Sequence, residues 1–324
     1  MNPARTMVFG PSHWHVPLCA ERIGARHDVI GVSDEDADSA RHYGDLWDAP
    51  VYERWQDVLA AHPDADLAYV FVPHDQMRDA CLALIAARIP LVVEKPAGVS
   101  RSEVADVRAA AEAAGVPIAV TFVQRGGPIE HWLSQAGPAV YESTQFIAGP
   151  PGRYLTNGSP WMVDRARAGG GCVINLAPHF IDMFLRSAGQ RRAKASAALS
   201  STLHGRGVED FGSLTLTTSD GRIGTIQVGY AFPDSVLKRH CSFTRIGPNG
   251  VASIWTDGTA SFTDTAGATQ VSRLDVDSDP LYDRFVDAVA DTLDQGFEGL
   301  PGIRDLEDAM AIVWDAYSEG SPTL

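Results

Sequence analysis

Two places in the chain carry side chains whose type and spacing suit proton transfer. The first is Glu94-Lys95-Pro96, directly after the apolar run Leu91 to Val93. If that run is a parallel strand, Lys95 stands at its carboxyl end, the edge at which open α/β sheets hold their ligands. An ammonium there can hydrogen-bond a substrate hydroxyl, stabilise a developing alkoxide and, with a lowered pKa, exchange a proton. Composition alone favours the plainer reading, a solvated surface lysine. The second place is Asn175, His179 and Asp182, spaced four and three residues apart after Gly169-Gly170-Gly171. On a helix these three share one face. A histidine so placed can remove the proton of an alcohol hydroxyl while a hydride leaves the same carbon. The competing reading is a core or capping histidine satisfied by Asp182, and Asp182 itself reads as structural.

The elements that must position these groups follow from hydrophobic periodicity. Thr6 to Phe9, Val29 to Ser33, Leu67 to Val72, Leu91 to Val93 and Ile118 to Phe122 are apolar runs of strand length. Val16 to Ile23, Asp75 to Ala87 and Ser102 to Ala114 carry apolar residues at helical spacing, the last with a capping box from Ser100 and Glu103. Alternation of the two patterns is the signature of βαβ units on a parallel sheet. In such a fold the turn after the first strand receives a pyrophosphate. Here the fingerprint G-x-G-x-x-G is represented by Gly10-Pro11-Ser12-His13-Trp14-His15, so only the first glycine stands. Asp34 follows roughly 20 residues beyond Gly10, where a carboxylate accepts hydrogen bonds from an adenosine ribose and repels a 2′-phosphate. That favours NAD over NADP. The alternative for Asp34 is a turn or N-cap residue in the acidic stretch Ser33-Asp34-Glu35-Asp36.

Val92-Val93-Glu94-Lys95-Pro96 after a Rossmann-like half, followed by the glycine-rich start of a helix carrying His179 and Asp182, resembles the Gfo/Idh/MocA oxidoreductases (glucose-fructose oxidoreductase and inositol dehydrogenase relatives). The resemblance covers essentially the whole chain. It implies an α/β N-terminal Rossmann-like parallel-sheet domain, residues 1–122, and a C-terminal α+β domain, residues 123–324, built on a large, mostly antiparallel sheet for substrate binding and oligomerisation. Tyr141 to Ile147, Ala193 to Leu203, Asp210 to Thr217, Ile223 to Tyr230, Ser242 to Ile246, Val251 to Thr256 and Thr269 to Leu274 read as its strands. Leu281 to Leu293 and Leu306 to Tyr317 read as terminal helices that can pack back on the first domain.

By the same resemblance Lys95, His179 and Asn175 are the expected catalytic residues. Gly10, Ser12, His13, Trp14, Asp34, Pro73, His74, Glu94 and Lys95 are expected along the cofactor, and Arg153, Tyr154, Trp161, Arg165 and Asn175 along the substrate. For His13 and Trp14 an exposed loop is the simpler account, and for the aromatic and guanidinium set plain loop packing is an equal one. The family usually carries an aspartate where this chain has Asn175, and an amide cannot act as a base. Proton transfer then rests on His179 and Lys95. The activity implied is NAD-dependent hydride transfer at a hydroxyl-bearing carbon of a sugar, inositol or related polyol. An NAD-using lyase, hydrolase or epimerase acting by transient oxidation is the alternative. A non-catalytic cofactor-binding sensor is a third, against which the presence of both Lys95 and His179 argues. A homodimer or homotetramer is implied by resemblance only.

Bulk properties limit what else the protein can be. A formal net charge of -15 leaves no basic stripe for nucleic acid. Met1 to Gly10 shows no signal-type apolar region and no stretch has the length of a spanning helix, so no membrane association and a cytoplasmic location are expected. Cys19, Cys81, Cys172 and Cys241 lie far apart and without metal-ligand spacing, so buried thiols are expected, with neither disulfide nor metal site.

Overall fold

A computed structural model describes residues 3–319; residues 1–2 and 320–324, the ends of the two expected domains, lie outside the described residues. The chain divides into two compact units. The first runs through Thr121 and takes in Tyr154–Gly169 and Asp279–Glu307; the second comprises Phe122–Arg153, Gly170–Ser278 and the chain from Asp308.

In the first unit, apolar runs form a six-stranded sheet of β1 (Ala4–Phe9), β2 (His27–Ser33), β3 (Val51–Tyr52), β4 (Leu67–Val70), β5 (Leu91–Val93) and β6 (Ile118–Val120). All pairings are parallel, in the order β3-β2-β1-β4-β5-β6. Every residue of β4, β5 and β6 is buried, as expected of parallel strands covered on both faces. The order reverses between β1 and β4, so the chain leaves their carboxyl ends in opposite directions and opens the crevice in which such sheets bind ligands. The helix Arg101–Ala114 starts as expected: Ser100 Oγ accepts the Glu103 N–H at 3.3 Å, and the Glu103 carboxylate accepts the Val99 N–H at 2.7 Å. Val16 to Ile23, in contrast, is not one helix. A 3₁₀ turn at Val16–Leu18 is separated from the helix Ala20–Arg26 by Cys19, whose φ of -142° leaves the helical region.

The second unit holds β7 (Tyr141–Ala148), β8 (Lys194–Ser200), β9 (Phe211–Thr217), β10 (Ile223–Tyr230), β11 (Arg239–Gly247), β12 (Gly250–Trp255), β13 (Thr259–Asp264) and β14 (Thr269–Arg273). They form one sheet in the order β14-β13-β12-β11-β7-β10-β9-β8, antiparallel except where β7 meets β10. Side chains alternate between buried and exposed along β7, the pattern of a sheet covered on one face. The covering element is the helix Cys172–Ser187. It lies so close that a Cβ on Gly224 of β10 would meet the Phe184 ring at 2.8 Å, and one on Gly212 of β9 would meet Val173 at 2.2 Å. Its far end is fastened by a buried ion pair between cross-strand partners, Arg245 Nε to Glu142 Oε2 at 2.6 Å, whose carboxylate also accepts from Ser187 Oγ at 2.9 Å. Breaking such a pair from one side leaves an uncompensated buried charge and costs about 3–5 kcal/mol. β13 was not among the expected strands, because its sequence Thr-Ala-Ser-Phe-Thr-Asp offers little apolar alternation. No helix among the described residues is long and apolar enough to cross a membrane.

Candidate active site

At the end of β1 the backbone turns at Gly10 with φ +78°, and a Cβ there would sit 2.5 Å from the Val72 nitrogen. Glycine is therefore required, because the turn passes against the strand-end backbone across the crevice. Beyond it the turn departs from a phosphate cradle. Ser12 N–H donates to Asp34 Oδ2 at 2.6 Å, His13 N–H to the Gly10 carbonyl at 3.1 Å, His15 N–H to His13 Nδ1 at 3.2 Å and Val16 N–H to the His13 carbonyl at 2.9 Å. Amides that would face a pyrophosphate in the usual fingerprint are bonded within the protein, and the first α-helix begins only at Ala20.

Asp34 serves the turn and still faces open space. Its second oxygen accepts the Asp36 N–H at 2.8 Å, while the N-cap of the following helix is Asp36 and not Asp34. Burial raises the Asp34 carboxyl pKa, and the amide hydrogen bonds oppose the rise. A cleft of about 240 Å³ lined by Gly10, Asp34, Arg54, Trp55 and Gln76 adjoins a larger one of about 630 Å³ lined by Asp34, Arg41, Tyr52 and Arg54. Gly10 and the Asp34 carboxylate at this cleft fit the adenosine half of a dinucleotide. Arg54 and Trp55 had no signal in the sequence, since they follow a two-residue strand.

Lys95 is completely buried after β5. Burial lowers its pKa to about 8, with the Glu94 carboxylate opposing, so the amine and ammonium forms are both accessible near neutral pH. The surface-lysine reading thus fails. Glu94 Oε1 lies 2.8 Å from His15 Nδ1. Pro73 is buried and precedes the helix His74–Ala86. His74 is buried too, and its Nδ1 is 2.8 Å from the Ala168 carbonyl. Since burial lowers its pKa to about 3, it is a neutral ring that donates from Nδ1.

Tyr154–Gly169, which carries Tyr154, Trp161 and Arg165 of the expected substrate residues, belongs to this unit and lies over the turn. Ser159 Oγ donates to the Ser12 carbonyl at 2.8 Å, and the Trp161 ring packs 5.7 Å from His13 and 4.7 Å from His74. Tyr154, wholly buried, sits edge-on 5.9 Å from a half-buried Trp14. His13 is buried rather than on an exposed loop. Arg165 is exposed, and it is Arg167 that pairs with Glu35 at 2.8 Å. Arg153, half-buried, lies in the second unit.

In the second unit the helix Cys172–Ser187 is set by a carboxylate the sequence did not single out. Glu209 Oε1 accepts Gly171 N–H at 2.8 Å, Val173 N–H at 3.0 Å and the Tyr317 hydroxyl at 2.6 Å, while Ile174 N–H donates to that hydroxyl at 3.1 Å. The glycines leave room for this cap: a Cβ on Gly170 would meet the Tyr317 oxygen at 2.1 Å, and one on Gly171 the Glu209 carbonyl at 2.1 Å. Buried Asn175 donates to the Tyr230 hydroxyl at 3.4 Å. Asp182 is clamped by both arms of the Arg125 guanidinium, Nε donating at 2.8 Å, so it reads as structural. His179, half-buried, has the Phe122 ring edge-on at 5.6 Å.

Comparison with known proteins adds to this geometry. Residues 9–122 match an oxidoreductase family with an NAD-binding Rossmann fold, and residues 142–252 match the GFO/IDH/MocA C-terminal domain. Trans-1,2-dihydrobenzene-1,2-diol dehydrogenase of Bos taurus is 28% identical over 205 residues, which are 62% of this chain and 59% of the bovine protein. A putative UDP-kanosamine synthase oxidoreductase subunit of Amycolatopsis mediterranei (strain S699) is 27% identical over 171 residues, 52% of this chain and 46% of that one. Levoglucosan dehydrogenase, solved with NADH and levoglucosan, superposes with a TM-score of 0.83 at 13% identity over 98% of this chain and 97% of that one. An inositol dehydrogenase homolog from Azotobacter vinelandii, solved with NAD+, gives 0.80 at 17% identity over 98% and 96%. These likenesses show the shared fold, and the first unit is an NAD-binding Rossmann domain. With both domains matched in order over most of its length, the chain belongs to the Gfo/Idh/MocA oxidoreductase family.

Proposed function

We propose that the protein is an NAD-dependent dehydrogenase acting on a hydroxyl-bearing carbon of a sugar, inositol or related polyol. The observation that carries this reading is Lys95, buried at the carboxyl end of β5 with its pKa brought to about 8. Bound NAD supplies the hydride acceptor. We assign the proton exchange to Lys95 and His179: the Lys95 amine takes the hydroxyl proton during oxidation and returns it during reduction. Asn175 holds a substrate hydroxyl through its amide and carries no proton. Arg153, Arg165, Tyr154 and Trp161 are assigned to the substrate, as a guanidinium and aromatic set suited to a sugar ring or an anionic group. Names of relatives support a hydroxylated carbon: one is a diol dehydrogenase and another was solved with levoglucosan.

The test is NADH absorbance in purified protein given NAD and a panel of sugars, inositols and diols. Steady NADH formation with one of them is expected. Product without accumulating NADH would replace this reading with transient oxidation, and absence of any turnover or NAD binding would overturn it.

Asp34 makes a separate prediction. Asp34→Ala is expected to narrow the preference for NAD over NADP by roughly 10-fold or more, because the carboxylate that repels a 2′-phosphate is gone. Affinity for NAD should also fall, since Ser12 N–H loses its acceptor. Titration of both cofactors checks this, and an unchanged ratio removes Asp34 from the site.

We also assign the protein a homodimeric or larger state. Ile223, Tyr141, Ile246 and Val251 are register neighbours across β10, β7, β11 and β12, and each is at least 36% exposed. Such a row on one face is an association surface rather than scattered exposure. Light scattering should show more than one chain, and Ile246→Asp should shift it toward the monomer. A monomeric native protein would refute the assignment.

A further inference from the structure

We propose that His13, His15 and Glu94 form a binding site for one divalent transition-metal ion of the zinc class, inside the first unit. Two of the residues come from the turn after β1 and the third from the end of β5, so the parallel sheet brings them together. All three are buried, and one ligand atom from each lies within 4.8 Å of the others. Two imidazole nitrogens and one carboxylate oxygen are a donor set that holds zinc with one position left open.

Independent of that proximity, the cluster leaves buried polar atoms unused. His13 Nε2 and Glu94 Oε2 are shielded from solvent and have no hydrogen-bond partner among the described residues. A buried polar atom without a partner is destabilising, and ligation removes that penalty. Burial keeps His13 well below the ordinary histidine range, so the ring is neutral, the form a metal requires. His13 Nδ1 accepts the His15 N–H at 3.2 Å, which puts the ring proton on Nε2. Ligation through Nε2 moves that proton to Nδ1 and gives up this one long hydrogen bond. His15 Nδ1 already stands 2.8 Å from Glu94 Oε1. Zinc bonds of ~2.0–2.2 Å place ligand atoms of one ion roughly 3.3 Å apart, so the His15–Glu94 pair at 2.8 Å must open slightly and any pair near the 4.8 Å limit must close, changes within reach of side-chain rotation. Rings packed around the cluster, Phe71 at 6.0 Å and Trp161 at 5.7 Å from His13 and Tyr282 at 4.7 Å from His15, limit access and hold the imidazoles in place.

The experiment uses the full chain, stripped with a chelator and titrated with Co²⁺ and then Zn²⁺ in the absence of NAD. Expected are one equivalent of cobalt, visible d–d bands of a low-coordinate nitrogen and oxygen site, their loss on adding zinc, and a higher melting temperature with metal. His13→Ala and Glu94→Gln, checked for folding by circular dichroism, should weaken binding ~10–100-fold or abolish it. Wild-type protein that takes up no stoichiometric metal overturns the proposal. So does undiminished binding in both folded variants, which would place the ion elsewhere. If neither variant folds, X-ray absorption of the zinc-loaded wild type decides: two imidazole ligands support the site, and none or one rejects it.

Discussion

Lys95→Met is expected to lower kcat by ~10²-fold or more and to remove a pH-dependent contribution to the protein's stability. The two effects have one cause. Lys95 is fully buried, and burial brings its pKa to about 8 from an ordinary value of 10.5. Its folded-state pKa is depressed, so between pH 8 and 10.5 the unfolded chain binds more protons than the folded one. Stability therefore rises with pH across that window, and below it the folded protein carries the whole cost of the buried ammonium. At about 1.4 kcal/mol per pH unit the difference between the ammonium and the amine is of order 3 kcal/mol, and methionine, of similar length, has no proton to exchange. Thermal melts across the window should show a rise in the native protein that is missing in the variant. The same titration governs catalysis in opposite senses: kcat/KM for oxidation should increase as pH passes upward through about 8, where the amine becomes free to accept a proton, and that for reduction should decrease. A folded variant with full activity would take Lys95 out of the chemistry.

That lysine was legible in the sequence because the strand before it is apolar at every position, the mark of a parallel strand buried on both faces. The helix bearing Asn175 and His179 was legible for a similar reason, its glycine start and long apolar stripe being local features. What could not be read were contacts between distant parts of the chain. Glu209 lies well beyond the helix it caps, in a stretch with no motif, and Tyr317 sits on the last helix. Tyr154 and Trp161 read as a substrate loop because Gly and Pro surround them, and the packing of their rings against His13, Trp14 and His74 had no sequence signal. The helix Ala37–Trp47 was obscured by its composition, with little more than Ala40, Tyr43 and Gly44 turned inward. His15 was counted as a loss from a glycine fingerprint and His13 as part of an exposed loop, whereas burial and the carboxylate of Glu94 give them a setting that only the folded sheet supplies.

Glu209 provides a sharp test of how the second unit holds its helix. Glu209→Ala is expected to destabilise the protein by roughly 3–5 kcal/mol and to lower kcat, because Gly171 N–H, Val173 N–H and the Tyr317 hydroxyl lose their common acceptor in the interior. Glu209→Gln should behave differently. The three donors converge on a single oxygen, Oε1, and a glutamine carbonyl can stand in its place. Burial pushes the Glu209 carboxyl pKa up, so the interior already disfavours its charge and the neutral amide carries no such penalty. Because the folded-state pKa is raised, the native protein holds this proton above the ordinary 4.5 and loses stability as pH rises through the folded value; Glu209→Gln lacks that slope. Melting curves and kcat for both variants decide the matter. If the glutamine is as damaging as the alanine, the negative charge at the helix start is itself required, through the helix dipole, and hydrogen-bond acceptance is not enough. If alanine is harmless, the helix is positioned by its apolar face against β9 and β10 alone, and the close fit of Gly170 and Gly171 around this cap has no bearing on Asn175 and His179.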